Sequence, residues 1–488
     1  MKQKRSGYLL ILGYLGTFLM MIGVIILLPL FVIVFYPNEL NLAPYFLIPG
    51  IITIVIGFLL SLVNYNRDLE RLKRYEDVFL LLLIWLAAIF ISAIPIYLTK
   101  EYSFAEAVFE MTSGYTTTGM SVYNVSQAAK IFLLFRSLTH FVGGVGLVLV
   151  LTSTMSDKFG IQLYKTEGHN DRLLPNLVKS ARFIFKIYSI YIIIGSLFYV
   201  IFGMEPFDAI NHAISAVSTG GFSTKTTSIA YYNSVPIEII SMVLMLLGAT
   251  NFMVHLYLFR RHFKKAYKHL ELKFLLIYGT FMIVFLMISS KMFNMNESIR
   301  FNLFHFISSM SSTGLLNSTK TFISYTPVFL MLTTIIMAIG GGGGSTAGGI
   351  KLYRMAIFFK SNRWHLKEKI ENPRQIEVKH FYYLGDKRKI TDKVIISNYA
   401  FISLYILVLL VGSMFVSSYG YPFINSVFEV SSLIGNSGLS IGIMTNPNRS
   451  ETLLWLGTIT MLIGRLEIYP VFFGIVKVFL DFKKIVKK

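Results

Sequence analysis

Four stretches of this chain place a glycine after a small or hydroxylated residue and before a large apolar one: Thr118-Gly119-Met120, Gly220-Gly221-Phe222, Thr313-Gly314-Leu315 and Ser437-Gly438-Leu439. All four share one register. Nine residues before the glycine stand Glu110, His212, His305 and Glu429, and six before it stand Ser113, Ser215, Ser308 and Ser432. The chemistry such a segment offers lies in its backbone. Glycine alone adopts positive φ freely and lets carbonyls approach a ligand closely, and rings of carbonyls can replace the water shell of a potassium ion. The candidate filter is therefore Thr117, Thr118 and Gly119; Thr219, Gly220 and Gly221; Ser312, Thr313 and Gly314; Asn436, Ser437 and Gly438. Four ordinary outer turns rich in Gly, Ser and Thr would not need a helix-borne Glu or His and a Ser at fixed offsets.

Glu110, His212, His305 and Glu429 have two readings. An ionisable group inside a membrane is a candidate ligand or proton carrier, whereas a place two turns before the filter suits a scaffold that bonds the filter backbone or a neighbouring repeat. The scaffold reading is favoured, and no His-x-x-His or acidic cluster supports a metal site; the only metal expected is potassium at the filter. The run Gly340, Gly341, Gly342, Gly343, Gly344, Ser345, Thr346, Ala347, Gly348, Gly349 is flanked by apolar sequence on both sides. That favours a broken helix facing a cavity at membrane depth over a flexible linker, and a mobile constriction under the filter is the expectation. It lacks the Gly-Lys-Ser/Thr ending of a phosphate loop. Arg465, inside the last apolar run, either bonds carbonyls or a carboxylate of another helix or faces the pore as a positive barrier. Glu467, two residues on, would not face it on a helix.

The elements that must position these residues follow from composition. The chain has 488 residues, 54% of them hydrophobic and 14% charged, with a mean hydropathy of +0.63, against about 25% charged in soluble domains. Apolar runs of spanning length recur throughout. They pair as Tyr8–Tyr36 with Tyr45–Asn64, Val78–Leu98 with Ile131–Met155, Phe183–Phe202 with Ile237–Phe259, Phe274–Met292 with Tyr325–Phe359, and Ile395–Val416 with Leu453–Leu480. The segment before each glycine predicts a half-helix of about 18 Å, at roughly 1.5 Å per residue. Its C-terminus would aim the negative end of a dipole at a common axis. The expected fold is an all-α polytopic membrane protein: four pseudo-symmetric helix–pore-half-helix–helix repeats around one pore, plus an N-terminal helix pair.

The net charge of +20 does not indicate nucleic acid, because Lys and Arg collect in alternate loops. Those are Lys2, Lys4 and Arg5; Arg67, Arg71, Lys73 and Arg74; Lys158, Lys165, Arg172, Lys179 and Arg182; Arg260, Arg261, Lys264, Lys265 and Lys268; Lys360–Lys393; and Lys483, Lys484, Lys487 and Lys488. This positive-inside pattern predicts cytoplasmic termini. With no cysteine, disulfides and thiol chemistry are excluded, and no triad or dyad spacing suggests an enzyme. The expected division is residues 1–66 as the extension, 67–158, 159–263, 264–362 with the glycine-rich loop, and 363–488 with a cytoplasmic loop.

The motifs TTTGMS, STGGFST, SSTGL and GNSGLS, with FRSLTHFVGGVG, GGGGGSTAGGIK and GRLEIYPV, resemble the Trk/Ktr/HKT superfamily of potassium transporters over nearly the whole chain. The extra pair Tyr8–Asn64 is similar to the bacterial TrkH branch. The resemblance implies potassium uptake through a pseudo-fourfold pore in a bacterial inner membrane, a gate loop matching Gly340–Gly349 and an arginine below the filter matching Arg465. It also implies a homodimer in the lipid bilayer and a cytosolic TrkA-like ring. NAD or an adenine nucleotide would act only through that ring, whose docking surfaces would be the basic loops Lys360–Lys393 and Arg260–Lys273. Gly119, where a serine accompanies sodium transport in plant relatives, favours potassium. A sodium-permeable or non-selective channel of the same architecture and a proton- or sodium-coupled symporter remain open.

Overall fold

The computed structural model describes residues 7–64, 76–146, 177–292, 298–320, 322–370, 380–383 and 386–476. The basic residues expected at 2–5, 67–74, 158–172 and 483–488, the ends of the runs at Met155 and Leu480, and the repeat boundaries at 66/67 and 158/159 lie outside the described residues.

Four twelve-residue helices, Phe104–Tyr115, Pro206–Val217, Ile299–Met310 and Phe423–Ile434, occupy the half-helix positions. Their starts are specified locally. Ser103 Oγ accepts from Glu106 N (3.3 Å) while Ser103 N donates to Glu106 Oε2 (2.8 Å), a reciprocal cap. Ser298 caps the third (Oγ accepting from Phe301 N, 3.1 Å), and Pro206 opens the second, where a missing N–H costs nothing. All four pore helices end in the same turn, described below.

Each repeat flanks its pore helix with an outer and an inner helix. The outer helices are Glu76–Tyr97, Leu177–Ile201, Leu270–Met292 and Asp392–Ser417. The inner helices begin at Lys130, Val235, Pro327 and Glu451. Among the described residues, six helical spans are long and apolar enough to cross a membrane, including Tyr8–Val34 and Pro37–Ser61 of the extension.

The inner helices of repeats two and four depart from the expected continuous spans, and that of repeat three is broken at the expected glycines. Val235–Gly248 and Phe252–Phe259 meet at 103°, and Glu451–Arg465 and Tyr469–Val476 at 108°. The inner helix of repeat three is interrupted between Ile339 and Leu352, and the helix Lys130–Val145 of repeat one closes on Gly146 at φ +103°. The breaks are tolerated because the freed carbonyls find partners. Gly248 O accepts from Thr346 Oγ1 (2.9 Å) and Tyr188 Oη (3.3 Å), and Asn251 Oδ1 caps the next helix at Met253 N (2.8 Å).

The N-terminal pair crosses at backbone contact. A Cβ on Gly16 would sit 2.6 Å from Gly57 O, and one on Gly23 2.7 Å from Gly50 O, the small-residue packing that suits helices in lipid. Glu39 in the pair's connection ties it to repeat one by accepting from Lys130 N (2.8 Å) and Ile131 N (2.9 Å). On the basic side, a short hairpin pairs His380–Tyr383 with Asp386–Lys389 and packs Phe381 and Ile390 against Leu270, Ala356 and Ile357.

Candidate functional site

Each pore helix closes with a paired turn that is repeated four times. The residue before the glycine donates its N–H to the serine carbonyl five positions back: Thr118 to Ser113 (2.9 Å), Gly220 to Ser215 (2.8 Å), Thr313 to Ser308 (3.0 Å) and Ser437 to Ser432 (2.9 Å). The residue two before the glycine bonds three positions back: Thr117 to Gly114 (3.1 Å), with Thr219, Ser312 and Asn436 each at 3.2 Å from its acceptor. This is a Schellman closure. Its left-handed position is filled by Thr117, Thr219, Ser312 and Asn436 at φ +51° to +55°, where glycine is usual. Non-glycine residues there carry strain of order 1–3 kcal/mol and cluster at functional sites.

The next residue is glycine in all four copies, at φ +81°, +83°, +79° and +76°. Its neighbour is also repeated. A Cβ on Gly119 would strike Gly220 O; on Gly221, Thr313 O; on Gly314, Ser437 O; and on Gly438, Thr118 O. Each glycine thus packs on the carbonyl before the next glycine, and the fourth returns to the first. The four segments form one closed ring. The apolar residues that follow, Met120, Phe222, Leu315 and Leu439, are buried in the wall. Thr117 Oγ1, Asn436 Oδ1 and Ser437 Oγ are buried without a protein hydrogen-bond partner.

Three of the four residues nine before the glycines hold the segment leaving the ring. Glu110 accepts from Ser121 Oγ (2.9 Å), Val122 N (3.0 Å) and Arg136 Nε (2.6 Å). Glu429 accepts from Ser440 Oγ (2.7 Å), Ile441 N (2.9 Å) and Met444 N (3.0 Å). His212 bonds Ser223 Oγ through Nε2 (2.9 Å). His305 turns to Thr333 Oγ1 (3.2 Å), because Leu316 stands where the other copies have serine. Arg136 also lies over the Phe222 ring, 4.0 Å from its centroid, joining repeats one and two.

His140 is a residue the motif register does not single out. Its Nδ1 bonds Gly114 O (2.8 Å), its Nε2 accepts from Phe222 N (3.3 Å), and its ring stacks on Phe222 at 4.0 Å. A Cβ at position 220 would run into the imidazole, so the second copy has glycine where the others carry a hydroxyl.

The glycine-rich loop lies against the inner-side residues of this ring. Its neck pairs with itself: Ile350 N to Ala338 O (2.8 Å), Lys351 N to Ile339 O (2.9 Å) and Leu352 N to Gly341 O (2.8 Å). Two left-handed residues of the ring bond the loop directly, Thr219 Oγ1 to Thr346 Oγ1 (2.9 Å) and Ser312 Oγ from Gly348 N (2.6 Å). The helix break of repeat two holds it from the side: Gly342 N donates to Ala249 O (2.9 Å), Phe252 N to Gly344 O (3.0 Å), and Asn251 Nδ2 to Gly343 O. Glu271 Oε1 accepts from Gly343 N (2.9 Å), and buried Lys351 donates to Ala347 O. Arg465 donates Nη1 to Thr346 O (2.7 Å) and Nη2 to Gly143 O. Glu467 instead pairs with Arg354 (2.6 Å), since the chain turns at Glu467 and Ile468, both at positive φ.

Spanning helices around a closed ring of four pore-helix ends define a multi-pass membrane protein of the cation-transporter class, not an enzyme. The chain belongs to the TrkH family of cation transport proteins, whose family model matches residues 43–481. It is 32% identical over 466 residues to an uncharacterized cation transporter of Methanocaldococcus jannaschii, covering 94% of each chain. It is 31% identical to the Trk system potassium uptake protein TrkG of Escherichia coli (strain K12), covering 96% of this chain and 97% of that one. The crystal structure of the potassium transporter TrkH from Vibrio parahaemolyticus has the same fold, with a TM-score of 0.84 over 95% of this chain and 98% of that chain at 23% identity.

Proposed function

We propose that this protein takes up potassium across a bacterial cytoplasmic membrane through the carbonyls of the four-glycine ring. In this reading the filter residues are Thr117–Gly119, Thr219–Gly221, Ser312–Gly314 and Asn436–Gly438. The loop Gly340–Gly349 is the gate, and Arg465 is both its anchor and a positive barrier beneath the filter. The observation that carries the reading is the cyclic contact of each filter glycine with the carbonyl before the next one. An ion on the shared axis would meet four oxygens in equivalent settings, with four helix dipoles aimed at it. The names of the relatives, potassium uptake proteins of Trk systems, support potassium as the cargo.

The same reading makes the protein a homodimer with both termini cytoplasmic. It is regulated by a cytosolic nucleotide-binding ring, TrkA-like, that alone carries NAD or an adenine nucleotide. The units are the extension 1–66 and repeats 67–158, 159–263, 264–362 and 363–488.

The deciding experiment is complementation of a potassium-uptake-deficient cell at low external potassium, with and without such a subunit, alongside potassium and sodium flux in proteoliposomes. Growth rescue and a strong preference for potassium are expected. Equal sodium and potassium flux would defeat the potassium assignment.

A further inference from the structure

Between the bent inner helix of repeat two and the outer helix of repeat three the chain reads Leu258-Phe259-Arg260-Arg261-His262-Phe263-Lys264-Lys265-Ala266-Tyr267-Lys268. Arg260, Arg261, Lys264, Lys265 and Lys268 are cationic, and no acidic residue interrupts them. Every residue from Leu258 to Lys265 is exposed, with Phe263 at 60% and, just beyond, Tyr267 at 71%.

In water such a set of apolar side chains would be an adhesive patch. Aromatic rings mixed with Lys and Arg are instead the composition of an element lying in the headgroup layer. The geometry agrees. Phe252–Phe259 turns 103° from the inner helix Val235–Gly248; with that helix spanning the bilayer, it runs across the bilayer normal. The spanning helix Leu270–Met292 then begins directly after the basic stretch. The stretch therefore sits at the level where spans start on the positively charged side.

We propose that this strap, Leu258–Lys268, binds the anionic lipid headgroups of the adjacent leaflet, and that the glycine-rich loop senses the occupancy. A protein face of opposite charge would match the cations but not Leu258, Phe259, Phe263 and Tyr267 among them; a leaflet accommodates both. Polybasic segments beside a membrane are drawn to anionic lipid. The loop is tied to both ends of the strap. Before it, Asn251 Nδ2 bonds Gly343 O and Phe252 N bonds Gly344 O (3.0 Å); after it, Glu271 Oε1 accepts from Gly343 N (2.9 Å). Lipid that pins the strap holds these tethers and so favours the loop's place against the filter. Only this last step rests on the reading of the loop as a gate.

The chain has no cysteine, so Tyr267→Cys, or Phe263→Cys should the first fold poorly, gives a single site for a nitroxide label. The full chain is reconstituted in phosphatidylcholine vesicles with and without phosphatidylglycerol as a minority lipid. The label is expected to move from water into the headgroup layer when phosphatidylglycerol is present, and high salt should reverse this by screening. Rubidium flux of the unlabelled protein should fall several-fold in the same vesicles. The variant R260Q/R261Q/K264Q/K265Q should lose both responses.

A label equally open to water in both vesicles overturns lipid binding and makes the strap a protein-docking face. A label equally shielded in both means burial against a second copy, which also overturns it. Immersion without any change in flux overturns the coupling. Absence of flux under all conditions would instead count against the transport reading.

Discussion

At the level of the glycines the four repeats share their backbone in detail: the same paired hydrogen bonds, the same left-handed position, and the carbonyl at the same position of the next repeat against each glycine. Where the inner helices break, they share almost nothing. Repeat three sends out a loop, repeat two offers Gly248–Phe252 to grip it, repeat four contributes Arg465, and repeat one supplies the carbonyl of Gly143. On the proposed reading the difference has a geometric cause. An ion on an axis would be held evenly only by equivalent ligands, which calls for equivalence around it. A gate on the same axis would be one segment, carried by one repeat, with the others shaped as its receptors.

The largest test of the symmetric level is Gly221→Ala. Its Cβ would displace Thr313 O, and a non-glycine residue at that φ costs a further 1–2 kcal/mol, roughly. Rubidium uptake should fall to background, and alanine at Gly119, Gly314 or Gly438 should do the same. One tolerated position would break the equivalence.

Next comes the scaffold. Glu110→Gln leaves Arg136 as an unpaired buried charge, a loss of about 3–5 kcal/mol. Glu429→Gln removes hydrogen bonds from neutral partners and should cost only about 1–3 kcal/mol. Thermal inactivation in detergent should rank the two variants in that order. The reverse order would mean that the repeats are not held by the contacts described.

At the asymmetric level, Arg465→Gln loses charge-assisted bonds to Thr346 O and Gly143 O, each worth about 1.5–3 kcal/mol. Flux through the otherwise intact protein should rise about tenfold or more, since about 1.4 kcal/mol is a factor of ten. Unchanged flux would remove Arg465 from the closing of the loop.

Repetition decided what could be read from the sequence. The pore helices fall on the expected residues because four copies at fixed offsets expose a register that any one copy would hide. The interruption in repeat three was visible in its glycines. The turns at Gly248–Phe252 and Leu466–Ile468 were not, because the runs on either side of each are apolar and a spanning-length count runs straight through a few polar residues. The left-handed Thr117, Thr219, Ser312 and Asn436 violate the preference for glycine at such sites and leave no compositional mark. His140, Asn251 and Glu271 each occur once, in one repeat, and only the fold shows what they touch. Arg465 and Glu467, too close in sequence to face each other on a helix, each find a partner elsewhere because the helix ends between them.

The smallest expected effect isolates what is special about the ring. Gly203 stands at φ +98°, beyond the outer helix of repeat two, with nothing within 4 Å of an added Cβ, whereas Gly221 at φ +83° faces the Thr313 carbonyl. Alanine imposes similar backbone strain at both positions, about 1–2 kcal/mol, but only at Gly221 does it also move a carbonyl of the ring. Gly203→Ala should therefore lower thermal stability slightly and leave rubidium uptake at the wild-type rate. If it abolished uptake as Gly221→Ala is expected to, backbone strain alone would account for both losses, and the close approach of glycine to carbonyl around the axis would explain nothing.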